Sequence, residues 1–136
     1  MATVTVTALD VRPLPGATIR NLTVSGTVHP GDVVYQSGGT VGGSVDAANA
    51  SATATAYGIG ICVAVANGGT IATTGDRCDY VAHGPVAGFS GAAGGSPGYA
   101  GNTAGILSTT AGTVSHKMGY FETPTIFFVN PSNTAT

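Results

Sequence analysis

The sequence predicts an all-β fold: a small β-barrel or a sandwich of short antiparallel strands, with an extended N-terminal arm. Three observations carry this prediction. Short apolar or alternating segments recur along the 136-residue chain and are punctuated by turn residues, which include 22 glycines and seven prolines. The Ala-rich stretch at residues 46–56 shows no apolar stripe at helical spacing, so we predict a loop there, with a short helix as the alternative.

A third observation is that one loop-to-strand phrase occurs twice. Residues 29–35 carry a Pro-Gly turn that enters a strand, and a Gly-hydrophobic strand returns at residues 57–61 after a small-residue stretch. Residues 96–99 and 117–121 repeat this order. We therefore expect each half of the domain to supply a similar β unit, although common turn chemistry alone produces such patterns too.

The first twenty residues predict an arm. Residues 3–7 alternate Thr and Val, which is the periodicity of a strand or of an extended segment that pairs with another sheet. Pro13 and Pro15 prevent continuous ladder pairing after it. We expect residues 1–20 to form an arm with modest packing on the domain, and an ordinary edge strand is the alternative.

The remaining chain divides into a single β domain at residues 21–130 and a polar tail at residues 131–136. Its strongest strand is 57–66, and the turn after it predicts a hairpin with residues 70–73. A second hairpin is expected between residues 105–108 and 113–120. The predicted strands cover residues 21–28, 32–36, 40–45, 57–66, 70–73, 78–82, 86–89, 105–108, 113–120 and 125–129.

Charge is scarce along the whole chain. Only 7% of residues are charged, with four Lys and Arg against six Asp and Glu, so no basic surface for nucleic acid is predicted. No basic region followed by a long apolar run opens the sequence, and no apolar run is long enough to span a membrane. So few charges favour a surface that is buried against partners, and a neutral hydroxylated coat is the alternative.

Residues with catalytic chemistry do not form a predicted site. Cys78 is the best nucleophile candidate, but in a strand it points away from His83, which would have to act as its base. His29, His83 and His116 lack the spacing of a zinc site. No phosphate-binding Gly-rich motif is present. We therefore predict that the protein is not an enzyme and binds neither a metal nor a cofactor.

Two pairs of residues leave alternatives open. Cys62 and Cys78 are predicted to be buried small hydrophobes, or a disulfide if the turn at Gly68 brings them together. Phe127 and Phe128 place one ring on each face of the last strand. One face belongs to the core, and the other is covered either by a second sheet or by another subunit.

The order of several phrases resembles the head decoration, or capsid cement, proteins of tailed bacteriophages. The phrases are Gly31-Asp32-Val33-Val34-Tyr35, Gly58-Ile59-Gly60-Ile61, Gly68-Gly69-Thr70-Ile71, Pro97-Gly98 and Gly119-Tyr120. The resemblance covers residues 26–130 and leaves the arm unmatched. It implies a small β-barrel or β-tulip that binds the outer surface of the assembled capsid in the virion, as a homotrimer near three-fold positions. It implies no catalytic residue.

In such a protein the partner is the major capsid protein, and residues 3–7 would grip it by adding a strand to an exposed sheet edge. The alternative function is a trimeric tail-fibre or surface adhesin module that binds host carbohydrate through exposed aromatic side chains. The candidate interface residues are Thr3, Val4, Thr5, Val6, Thr7, Leu9, Val11, Leu14, Phe127 and Phe128.

Overall fold

Strands make up 50% of the chain and helices 6%, which confirms the all-β prediction. A computed structural model describes residues 4–37, 44–66 and 68–131. Its helical elements are a 3-10 turn at Ala8–Asp10 and a short helix α1 at Thr53–Ala56, so the helix alternative holds within residues 46–56. In chain order, the strands are β1 (Thr5–Val6), β2 (Arg12–Pro13), β3 (Thr18–Thr23), β4 (Thr27–Val28), β5 (Val33–Gln36), β6 (Val45–Ala47), β7 (Gly58–Val65), β8 (Ala72–Thr73), β9 (Arg77–Ala87), β10 (Phe89–Ser90), β11 (Pro97–Ala100), β12 (Leu107–Ser108), β13 (Lys117–Thr123) and β14 (Ile126–Val129).

Eight of these strands form a curled antiparallel half-barrel in the order β12-β11-β13-β14-β9-β7-β5-β6. Its two halves have the same connectivity. In each half, β5 or β11 pairs with a short edge strand on one side and with the returning strand, β7 or β13, on the other. The second Pro-Gly pair does not form the predicted turn, because Pro97 and Gly98 lie within β11 itself. The register shifts within β5 at Val34/Tyr35 and within β11 at Gly98/Tyr99. The sheet topology thus supports the predicted repeat.

Both faces of the central strands are covered by apolar side chains. The main core cluster includes Ile61, Phe121 and Phe127, and a second cluster includes Cys62 and Tyr80. Neighbouring residues of β7 enter different clusters because successive side chains of a strand point to opposite faces. Burial on both faces explains why residues 57–66 are apolar almost throughout.

The N-terminal segment lies along the domain and does not project from it. β1 pairs with β10 and β2 pairs with β9, while Val4 and Val11 are only 4% and 7% exposed. β3 begins at Thr18, inside the segment that was predicted to be an arm. The edge-strand alternative is therefore the better description of the described residues, because the two valines remove apolar surface from water by packing on the core.

Two predicted pairings are wrong. β7 pairs with β5 and β9, whereas β8 pairs with β4. β12 pairs with β11 and not with β13. A turn signal shows where the chain reverses, but burial of the strand decides which neighbour it pairs with. The predicted strand start at residues 40–43 and the tail at residues 132–136 lie outside the described residues.

β9 is longer than predicted, since it continues through Gly84 and Pro85 to Ala87. Gly84 has φ +121°, and a Cβ at this position would lie 2.6 Å from the Cα of Ala17. Glycine here lets the N-terminal segment approach the strand closely. The residues that suggested a strand end instead mark a site of close backbone packing.

Candidate interaction surfaces

Residues 4–7 of the segment that was predicted to bind the capsid alternate between buried and exposed side chains. Val4 is buried and Val6 half-buried, while Thr5 and Thr7 are exposed. β1 is already paired through Thr5 opposite Ser90 and Val6 opposite Phe89. Within the described residues β1 pairs with β10 alone. Thr3 lies outside the described residues.

Leu9 is held outward by the 3-10 turn. The amide of Asp10 donates to the carbonyl of Thr7 at 2.8 Å, and the amide of Val11 donates to that of Ala8 at 3.4 Å. Leu9 is 80% exposed, the highest value among the large hydrophobic side chains of the described chain. It borders a cleft of about 160 Å³ whose described lining residues include no charged side chain. We call this the Leu9 surface, formed by Ala8, Leu9, Val11, Pro30, Val63, Ala64, Val65, Gly68 and Gly69.

The adjacent phenylalanines separate as their alternation predicts. Phe127 is fully buried, with its ring centroid 4.8 Å from that of Phe121. Phe128 is half-buried on the other face, where it stacks on Tyr120 at 5.5 Å with an interplanar angle of 23°. The ring of His83 meets Phe128 edge-on at 5.1 Å. Part of the outer face is therefore covered by the sheet's own side chains.

These outer rings belong to a row that crosses four strands. Tyr120 lies directly opposite both Pro97 and Phe128, and Phe128 lies opposite Pro85. Residues directly opposite in neighbouring strands share one face of a sheet. Tyr120 remains 42% exposed. We call Pro97, Tyr120, Phe128 and Pro85 the aromatic row.

A polar network ties β3 to β9. The amide of Asn21 donates to Oδ1 of Asp79 at 2.6 Å, and Nε of Arg77 donates to Oδ1 of Asn21. Arg77 also donates to the hydroxyl of Thr23 at 3.3 Å. Asn21, Arg77 and Asp79 line a cleft of about 200 Å³. Because the network joins residues that face one another across the two strands, its evident role is to hold β3 on β9.

Asp32 closes the turn that the first Pro-Gly phrase forms. Oδ2 of Asp32 accepts a hydrogen bond from the amide of His29 at 2.9 Å and lies 3.2 Å from its Nδ1. Burial raises the pKa of the Asp32 carboxyl, and the hydrogen bonds from His29 oppose that shift. The residues that carry the resemblance thus build the turn before β5, which sequence reasoning had treated as a simple Pro-Gly turn.

No contact that the structure describes joins Cys78 to His83. Cys78 is buried in the second cluster, whereas the exposed His83 packs on Phe128. Asp79 is bound to Asn21. In the part of the chain that the structure describes, no group of three His, Cys, Asp or Glu residues is placed to hold a metal. None of the helices among these residues is long and apolar enough to cross a membrane.

His116 lies directly before the start of β13 and is only 2% exposed. Its Nε2 donates to the carbonyl oxygen of Gly58 at 3.0 Å, and its Nδ1 has no hydrogen-bond partner. Burial lowers the pKa of the imidazole, while the bond to Gly58 opposes that shift. No local sequence signal marks this histidine as buried.

Comparison with family models, with curated protein sequences and with solved structures finds no match. Function is therefore inferred from the surfaces that the fold exposes.

Proposed function

We propose that this protein is a structural phage head decoration protein, which binds the outer surface of the assembled capsid and stabilises it by bridging major capsid protein subunits. The observation that carries the proposal is the Leu9 surface, an uncharged cleft bordered by a leucine that is 80% exposed. Burial of apolar surface contributes roughly 25 cal/mol per Å². Burial of Leu9 against an apolar partner would contribute this free energy to binding.

The rest of the N-terminal segment fits this role in a modified form. Val4, Val11 and Phe127 lie within the domain, so the contact now depends on Thr5, Thr7 and Leu9. Packing of the segment on the domain presents Leu9 in a fixed place, which reduces the entropy lost on binding. The scarcity of charge, 7% of residues, suits a surface that is covered in the virion. A homotrimer near the three-fold positions remains part of the proposal.

The proposal is tested with expanded, undecorated heads assembled from the major capsid protein of the same phage. We expect purified protein to co-sediment with the heads and to raise their resistance to heat. Leu9→Lys should bind in far fewer copies per head. Ile71→Lys is the matched control. Ile71 is as large as Leu9, is also exposed, at 44%, and gains the same charge in this variant. Failure of the wild-type protein to bind expanded heads would exclude the decoration role.

The aromatic row favours a second candidate, a trimeric tail-fibre or surface adhesin module that binds host carbohydrate. Stacked outward rings offer a flat apolar face with a hydroxyl at its edge, as Tyr120 does here. A glycan array distinguishes the two functions. An adhesin should bind defined glycans and lose them in Tyr120→Ala, while that substitution should leave capsid binding unchanged in a decoration protein.

A further inference from the structure

Cys62 and Cys78 lie on adjacent, hydrogen-bonded strands and enter the same apolar cluster. Cys62 is in β7 and Cys78 in β9; both are free thiols, and they are 0% and 1% exposed. Strand pairing between β7 and β9 therefore places both thiols in one largely apolar cluster.

The register of the two strands makes the cysteines diagonal neighbours. Cys62 lies opposite Tyr80, and Val65 lies opposite Cys78, with a bulge between Cys62 and Ala64. Diagonal neighbours in an antiparallel pair have Cα atoms about 7–8 Å apart. Disulfides usually join Cα atoms at about 4.4–6.8 Å. Formation of the disulfide therefore requires the two backbones to approach one another, and the bulge interrupts the regular ladder next to Cys62.

We propose that Cys62 and Cys78 form a reversible oxidation site, a dithiol that a small disulfide such as oxidised glutathione converts into an intramolecular disulfide between β7 and β9. The proposal is independent of the function proposed above. In this proposal the two cysteines react with an oxidant, whereas as buried small hydrophobes they would only fill the core.

The reaction proceeds by two exchanges. The thiolate of Cys78 attacks one sulfur of oxidised glutathione, forms a mixed disulfide and releases one glutathione thiolate. The thiolate of Cys62 then attacks the Cys78 sulfur, forms the Cys62–Cys78 bond and releases the second glutathione thiolate. The two protons of the protein thiols pass to the two glutathione thiolates, so the protein is oxidised by two electrons and the glutathione disulfide is reduced by two.

The order of attack follows from the contacts of each sulfur. The neighbouring Cys62 thiol lowers the pKa of the Cys78 thiol, whereas Cys78 and burial raise the pKa of Cys62. The Cys62 thiol donates to the carbonyl oxygen of Ala64 at 3.6 Å. Cys78 is 1% exposed and Arg77 and Asp79 bind β3 beside it, so the oxidant reaches Cys78 only when this end of β9 opens.

The test uses the native full-length protein incubated with oxidised glutathione, then denatured and treated with a maleimide-polyethylene glycol reagent. We expect the wild-type monomer to lose both reagent additions and to regain them after dithiothreitol. Cleavage after Arg20, Arg77 and Lys117 by trypsin places Cys62 in the peptide 21–77 and Cys78 in the peptide 78–117. These two peptides should appear as one disulfide-linked species, lighter by two hydrogens than their sum.

Matched variants separate the two steps. Cys62→Ala should accumulate a single glutathione adduct on Cys78, and Cys78→Ala should react more slowly at Cys62. Retention of both free thiols in the oxidised wild type would overturn the proposal, as would stable double glutathionylation or disulfide-linked dimers. The wild-type peptide map decides the question even if a variant fails to fold.

Discussion

Gly98 of β11 provides the space that the ring of Phe127 occupies. A Cβ at Gly98 would overlap the edge of that ring and lie 2.6 Å from its Cζ atom. Gly98 stands directly opposite Gly119 of β13, so the strand pair has no Cβ at either position. The ring of Phe127 is fixed from other sides by Phe121 and Phe89, at centroid distances of 4.8 and 6.2 Å. The second Pro-Gly phrase therefore admits the largest core side chain of the last strand.

We predict that Gly98→Ala destabilises the protein. Overfilling a packed core costs about 1–3 kcal/mol, so urea denaturation should show a free energy of unfolding lower by about that amount. Gly94→Ala is the matched control, because a Cβ at Gly94 would have its nearest contact at 3.4 Å. Its effect should stay within about 0.5 kcal/mol. Equal stability of the two variants would mean that the Phe127 ring can move aside to make room for the added methyl group at residue 98.

The two neighbouring phenylalanines give a second prediction. Phe127→Ala removes a fully buried ring and should lower the free energy of unfolding by about 3–5 kcal/mol. Phe128→Ala should lower it clearly less, since Phe128 is only half-buried and its stack on Tyr120 contributes about 0.5–1.5 kcal/mol. Chemical denaturation of both variants measures the difference. Equal losses would contradict the assignment of Phe127 to the core and Phe128 to the outer face.

Features of the fold that depend on local periodicity could be predicted from the sequence. The alternation at Phe127 and Phe128 and the apolar segment that became β7 were both visible, since the side-chain period of a strand is two. Two of the predicted hairpins, 57–66 with 70–73 and 105–108 with 113–120, failed because pairing is a long-range property: Val28 lies opposite Ala72, far along the chain. A turn motif near β8 could not reveal that partner.

The candidate surfaces were predictable only in part. Thr5 and Thr7 were expected to share a face, and they do, but the exposure of Leu9 depends on a 3-10 turn that no residue pattern announced. The aromatic row requires the registers of four strands to be known. Burial of His116 likewise depends on Gly58, which is distant in sequence and accepts its hydrogen bond.

Packing of the N-terminal segment gives a third prediction. Val11→Ala should lower the free energy of unfolding by about 1–3 kcal/mol, because Val11 is 7% exposed and packs in the main core cluster. Leu9→Ala, two residues away, should change it by less than about 0.5 kcal/mol because Leu9 is 80% exposed. Deletion of residues 2–12 should consequently destabilise the domain as well as remove Leu9. If Val11→Ala is neutral, the segment is an independent arm after all.

His116 gives a fourth prediction, a loss of stability on acidification. Burial holds its pKa in the folded protein below the value of about 6.5 expected in the unfolded chain. Below that pH the unfolded chain binds a proton that the folded protein does not, so the free energy of unfolding falls as pH decreases, until the folded-state pKa is passed. One such proton corresponds to a slope of at most about 1.4 kcal/mol per pH unit.

Urea denaturation at pH 7.5 and at lower pH measures this slope in the wild type and in His116→Gln. Glutamine keeps an amide that can donate toward Gly58 but does not titrate, so the variant should lose less stability on acidification than the wild type. His83→Gln is the control for the substitution itself, because it makes the same replacement at an exposed position. Glutamine at residue 116 cannot take up a proton in this pH range. If His116→Gln keeps the full wild-type slope, another group must therefore cause the acid sensitivity.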